Sequence, residues 1–307
     1  MATAQSGALP TERSLIVYRP TRGGALPAAD VARILDKAQV SHILWGVWAV
    51  GLFGFESFDY PVVEFVTPDD EIEAAKNAII AAGFPCCSDA RCMELTDWQV
   101  YGALPRYHEV ADEHFHIESK YEDFTVLSLL KSSRILYDLP PIKRGPVEDN
   151  DPTFMFSNDP RITLRHGLPQ WYDERADRYE PWIDLYPVKI LKLGAFAKAL
   201  ALLLCRDLEH PRNIFDKWVT VYGTLLGEYM TDDKILTPHG LSLQRDVDPK
   251  YLPLLPPGPC KPPFRAWRRA LRDKLRANNE LPERLPFTEN QWFGKRWFEE
   301  LEELEKP

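Results

Sequence analysis

The chain has 307 residues, 45% of them hydrophobic and 27% charged, an ordinary globular balance long enough for one large domain or two small ones. Its formal net charge of −9 excludes nonspecific wrapping of nucleic acid over the whole surface, though not a local basic patch. The richest apolar run, Phe196 to Cys205, is interrupted by Lys198 and falls far short of the ~20 residues a membrane span needs.

Residues 1–15 lack the apolar core of an export signal, so a soluble, cytoplasmic protein is expected. The five cysteines, with Cys86 and Cys87 adjacent, fit reduced thiols better than a disulfide framework. No C-x-x-C pair occurs, so no structural zinc site is expected.

In chain order, residues 1–13 read as a flexible tail and residues 14–19 as a first strand. Residues 26–40 read as a helix with Val31, Ile34, Leu35 and Ala38 on its apolar face and Asp30 at its start. An apolar, glycine-punctuated stretch follows, then a buried strand over residues 60–66. Residues 67–83 read as a helix, with Thr67 as N-cap, Pro68 as first helical residue, Asp70 as the reciprocal cap and Gly83 as the stop. Two strands are expected around "DEHFHIES" and "DFTVLSLLKSS", and strand plus loop at residues 153–169. Residues 188–207 read as one buried helix and residues 213–230 as a second beside it. Six of the eleven residues from Pro253 to Pro263 are proline, so residues 251–263 read as a stiff connector between a 14–250 α/β catalytic domain and C-terminal helices over residues 264–307.

A dense cluster of acids lies between strand and helix, where Asp69, Asp70, Glu71 and Glu73 occupy four of five consecutive positions. Acids in a first helical turn interact favourably with the helix dipole, by about 0.3–1 kcal/mol each, and that accounts for Asp69, Asp70 and Glu71. It accounts less well for Glu73, which shares a face with Asp69 and Asp70, because like charges at that spacing repel. The run also matches an Asp-Asp-x-x-Glu motif. With its early position, the chain length and the general run of sequence, it resembles the fungal arginine-containing cyclodipeptide synthases. That resemblance implies a catalytic trio of Asp69, Asp70 and Glu73. It further implies arginyl-tRNA and a second aminoacyl-tRNA as substrates, a cyclo(Arg-Xaa) product, and no cofactor beyond the aminoacyl esters. The chemistry suits the motif: a guanidinium takes a fork-like contact with carboxylate oxygens, and an attacking α-amine must lose a proton to a nearby base. A terpene-synthase reading of the same letters fails, because a β-type strand precedes the acids and the second metal motif is missing.

Residues 28–84 have the rhythm of a nucleotidyltransferase-like α/β (mixed α+β) core: helix, glycine turn at Gly46, acidic strand, helix. Nucleotidyl transfer itself would need two strand carboxylates two residues apart. Val62 and Glu64 hold that spacing, so one acid is missing; Glu64 reads either as a substrate-binding residue or as a strand acid at the sheet edge. Seven basic residues lie between Lys261 and Arg276. Phe264, Trp267, Leu271 and Leu275 form an apolar stripe, leaving Arg265, Arg268, Arg269, Arg272 and Arg276 to face tRNA phosphates or to be neutralised by the acidic C-terminus. His114 and His116 share a strand face and would need His108 or Asp112 to complete a metal site. Cys86 and Cys87 read as ordinary thiols, and Ser128, Ser132 and Ser133 lack the setting of a nucleophile elbow.

Overall fold

The computed structural model describes residues 25–53, 62–88, 92, 111–117, 125–162, 181–207, 218–219, 221–223, 225, 246–252 and 262–283. The strand expected at residues 14–19, the prolines from 253 to 259 and the last helical segment lie outside them.

The architecture is mixed α/β, as expected. A four-stranded sheet is built from β1 (Ile43–Trp45), β2 (Val62–Thr67), β3 (Glu113–Ile117) and β4 (Thr125–Lys131), in the order β1-β2-β4-β3. β2 and β4 run parallel, and both outer pairings are antiparallel. β2 is buried along its whole length, which explains its near-continuous apolar sequence. The helix α2 (Gly46–Gly51) follows β1 directly and packs against β2, and Gly46 turns the chain at φ +69°.

The helix α1 (Ala25–Lys37) buries Val31 and Leu35 and half-buries Ile34, as its periodicity requires. It begins earlier than the capping argument places it. Asp30 therefore lies in the second turn, paired with Arg33 at 2.6 Å, and Ala38 falls beyond the helix end, exposed. The helix α3 (Ile72–Ala81) follows a 3-10 turn at Asp69–Glu71 and packs against α1 and β4 through Ile72, Ala75 and Ile79. Gly83 closes it at φ +104°.

Two expectations are corrected. Thr67 does not cap α3: its hydroxyl is buried and donates to the Ser41 carbonyl at 2.8 Å, and Pro68 precedes the 3-10 turn with no side-chain cap. Residues 188–207 are not one helix. Lys189–Leu191 form β6, pairing with β5 (Phe154–Phe156), and α5 (Leu193–Arg206) begins only afterwards. The β-branched residues Val188 and Ile190 find a partner strand before the alanine- and leucine-rich run takes over. The short helix α4 (Ser132–Ile135) follows β4 directly.

Trp45 stacks on Phe196 of α5, with ring centroids 4.7 Å apart, so α5 covers the sheet face that β1 presents through Trp45. The helix α6 (Pro262–Ala277) packs on α5 and starts two residues inside the expected connector, with prolines in the first turn where no amide donor is needed. Among the described residues no helix is long and apolar enough to cross a membrane.

Candidate functional site

The acidic turn and Ser132-Ser133 leave the sheet together, because β2 and β4 are parallel and each ends just before one of them. Crevices at the carboxyl ends of parallel strands are where open α/β sheets bind ligands. Asp69 bridges the two ends. Its carboxylate accepts from the Ser133 amide at 3.0 Å, the Ser133 hydroxyl at 2.6 Å and, more weakly, the Ser132 hydroxyl at 3.4 Å. Partial burial pushes its proton affinity up, but these bonds and the Lys131 ammonium outweigh that and hold the carboxyl below its ordinary value.

Glu71 turns the other way. It accepts from the Ser41 amide at 2.6 Å and from Arg144 at 2.9 Å. Burial again raises its proton affinity and is outweighed by Ser41 and Arg144, so this carboxyl also sits low. Asp70 and Glu73 are exposed, and no hydrogen bond or ion pair holds either among the described residues. The motif therefore divides: Asp69 is tied down, while Asp70 and Glu73 present open carboxylates.

A cleft of about 570 Å³ lies beside the turn. Val40, Phe156, Tyr186 and Pro187 are among its lining residues, together with the charged Asp36, Lys37 and Arg144. Arg144 is the residue that holds Glu71, so the turn and the cleft share a wall. The Tyr186 hydroxyl donates to Asp36 at 2.8 Å, and burial together with that bond pushes its pKa up to about 12. Asp69, Asp70 and Glu73 do not line the cleft.

Glu64 is not at a sheet edge: β2 is an interior strand and Glu64 is only 3% exposed. Its register partners are Trp45 and Ser128, and Ser128 in turn faces His114, so one row of the sheet is polar and buried across three strands. Gly46 lies against it, and a Cβ there would stand 1.9 Å from Glu64 Oε2. This contact explains why the turn before the acidic strand is a glycine. Val62 occupies the other carboxylate position and is buried.

The basic helix departs from its expected orientation. Arg268 and Arg272 are 2% and 8% exposed and lie on the packed face with Phe264, Leu271 and Leu275; neither faces solvent. They flank Cys205, whose thiol burial pushes up to about 12 against the opposing pull of the two guanidiniums. Arg269 and Arg276 are exposed and Arg265 is partly so. A solvent-facing cationic strip survives, but it is narrower than the sequence suggests.

Asp112 does not join His114 and His116. It accepts from Arg134 at 2.7 Å and from the Lys131 amide at 2.9 Å. His108 lies outside the described residues. The two histidines instead meet Cys87 and Cys92, whose spacing is not C-x-x-C. An H-x-H pair on one strand and a C-x4-C pair ending 22 residues before it are the signals that could have found them. Burial and the Glu113 carboxylate push the neighbouring Cys86 thiol up, away from nucleophilic character.

No family model matches the chain, and no curated protein matches it. Among solved structures it is similar to a protein described as an antigenic nucleotidyltransferase-like protein from Paracoccidioides brasiliensis. The two are 9% identical, the match covers 85% of this chain and 94% of that one, and the TM-score is 0.37, too slight a likeness to assign residues or activity.

Proposed function

We propose that the chain is a tRNA-dependent aminoacyl transferase of the arginine-containing cyclodipeptide synthase type. It would join arginine from arginyl-tRNA to a second aminoacyl group and close a cyclo(Arg-Xaa) ring. The observation that carries this reading is the placement of the Asp-Asp-x-x-Glu turn at the carboxyl ends of the parallel strands, sharing the Arg144 wall of a cleft. Asp70 and Glu73 are the open carboxylates for the guanidinium and the attacking amine. Asp69, held low by Ser133, is a poor base and instead fixes the turn against α4. The apolar lining residues of the cleft, Val40, Phe156 and Pro187, suit the second aminoacyl side chain. Arg265, Arg269 and Arg276 are the candidates for tRNA phosphates.

The test is expression in a microbial host and mass analysis of the medium. Arginine diketopiperazines should accumulate with the wild-type chain, and Asp70→Asn or Glu73→Gln should lower them at least about tenfold. Full product from both variants would sink the assignment.

The second reading is a nucleotidyltransferase-like nucleotide- or RNA-binding protein without peptide-bond chemistry. Val62 at the missing carboxylate position and the use of Asp69 to hold Ser133 in α4 favour it. Retained tRNA binding with no diketopiperazine from the wild-type chain would select it.

A further inference from the structure

We infer that Cys87, Cys92, His114 and His116 form a structural zinc site that staples the chain after α3 onto the edge of the sheet. The donor atoms of the four side chains all lie within 4.8 Å of one another. Cys92 Sγ stands 3.2 Å from His114 Nε2 and 3.2 Å from His116 Nε2. A tetrahedral zinc about 2.0–2.3 Å from each donor sets donor separations only slightly wider than the closest of these.

The backbone arranges the four residues without strain. β3 places His114 and His116 two residues apart, on one face of a strand, and their rings meet edge-to-face at 5.3 Å. Cys86 bridges to Phe115 of the same strand, and the Cys87 amide donates to the His114 carbonyl at 3.1 Å. The segment carrying the first thiol is thereby laid along the strand carrying both imidazoles, and Cys92 returns five residues later to close the set.

Two features separate a closed metal centre from a thiol nucleophile activated by histidine. Cys92 is 8% exposed and His114 is 4% exposed, while Cys87 and His116 are half-buried, so the sulfur that faces both imidazoles is not an open nucleophile. A nucleophile needs one base, whereas here two imidazoles and a second thiol converge on one sulfur. The donor chemistry selects the ion. Two soft thiolates and two imidazoles in tetrahedral array favour zinc over magnesium, calcium or manganese. On binding, each thiol gives up its proton to solvent and each imidazole coordinates neutral. Two thiolates then balance the dication, and an uncharged centre suits a buried position.

The placement also gives the site work to do. Among the described residues β3 pairs with β4 on one side, and on the other Cys86 supplies a single bridge. Glu113, between Cys86 and His114 in space, pairs with Lys76 of α3 at 2.8 Å. Zinc at this point would hold the edge strand, the segment after α3 and, through Lys76, the helix carrying Glu73 in one unit.

The experiment uses the full chain, purified under reducing conditions and dialysed against metal-free buffer. Elemental analysis should find about one zinc per chain. Cys86→Ser should keep it, and Cys92→Ser should lose it. Exchange with Co(II) supplies a readout that needs no variant to fold: the wild-type chain should show the visible bands of tetrahedral cobalt with thiolate-to-cobalt charge transfer. A wild-type chain that folds without zinc and gives a cobalt spectrum lacking thiolate charge transfer would overturn the proposal, as would zinc retained undiminished by Cys92→Ser.

Discussion

Glu71 joins two segments far from it in sequence, Ser41 and Arg144, and the consequence is a testable acid sensitivity. Its folded-state carboxyl lies below the ordinary glutamate value of 4.5. The stabilising contribution is therefore complete above that pH and is lost as the pH falls through the lower folded value. Asp69 acts with the same sign, since its carboxyl is also held low. Thermal unfolding midpoints followed between about pH 3 and 7 should fall on the acid side, and Glu71→Gln should flatten part of that fall. An unchanged acid limb in the variant would disprove the role. Little of this was legible beforehand. Within the sequence Glu71 is one acid among four at a helix start, and nothing local distinguishes the one whose partners lie 30 and 73 positions away. Gly46 was legible as a turn, but the reason for it, a carboxylate packed against its α-carbon, belongs to another strand.

Single helices were read well for existence and less well for facing. In α6 the error is one of phase. At about 100° per residue, Arg268 lies only about 40° from Phe264 around the helix, whereas Arg269 lies about 140° away. Counting charges sent both toward solvent; the angle sends Arg268 inward, where it is buried. The two should therefore fail differently. Arg269→Glu with Arg276→Glu should weaken tRNA binding and reduce the salt slope by about 1–2, leaving stability within about 0.5 kcal/mol. Arg268→Glu should instead cost about 3 kcal/mol in urea unfolding, because the interactions of a buried guanidinium are lost and a charge of the opposite sign is buried in its place. Equal tRNA affinity in the double variant would remove the strip from the proposed interface. The merging of β6 into α5 is a different failure. A continuous apolar run does not reveal where strand ends and helix begins until a partner, here β5, is known.

Across the whole chain, the order of elements around the acidic turn was readable, but the order of strands was not. Alternation tells which residues face a core and leaves the neighbour unspecified. The brace at the end of α5 was hidden for the same reason. Arg206 and Asp207 are fully buried as an ion pair. Arg206 also donates to the Arg134 carbonyl and the Tyr137 hydroxyl at 3.0 Å, and Asp207 accepts from Trp218 at 2.7 Å. Asp207→Ala would strand a buried guanidinium, and chemical denaturation should register a loss of about 3–5 kcal/mol. A loss under about 1 kcal/mol would mean that water replaces the partner. The parallel ladder of β2 on β4 pairs Val62 with Val126 and continues to Thr67 with Lys131. No rung of it can form until α3 and β3 have already been synthesised, so during translation β1 is the one described strand that β2 can pair with. The apolar edge of β2 then waits for its partner while the intervening stretch is made, the kind of delayed long-range pairing that slows folding and favours aggregation.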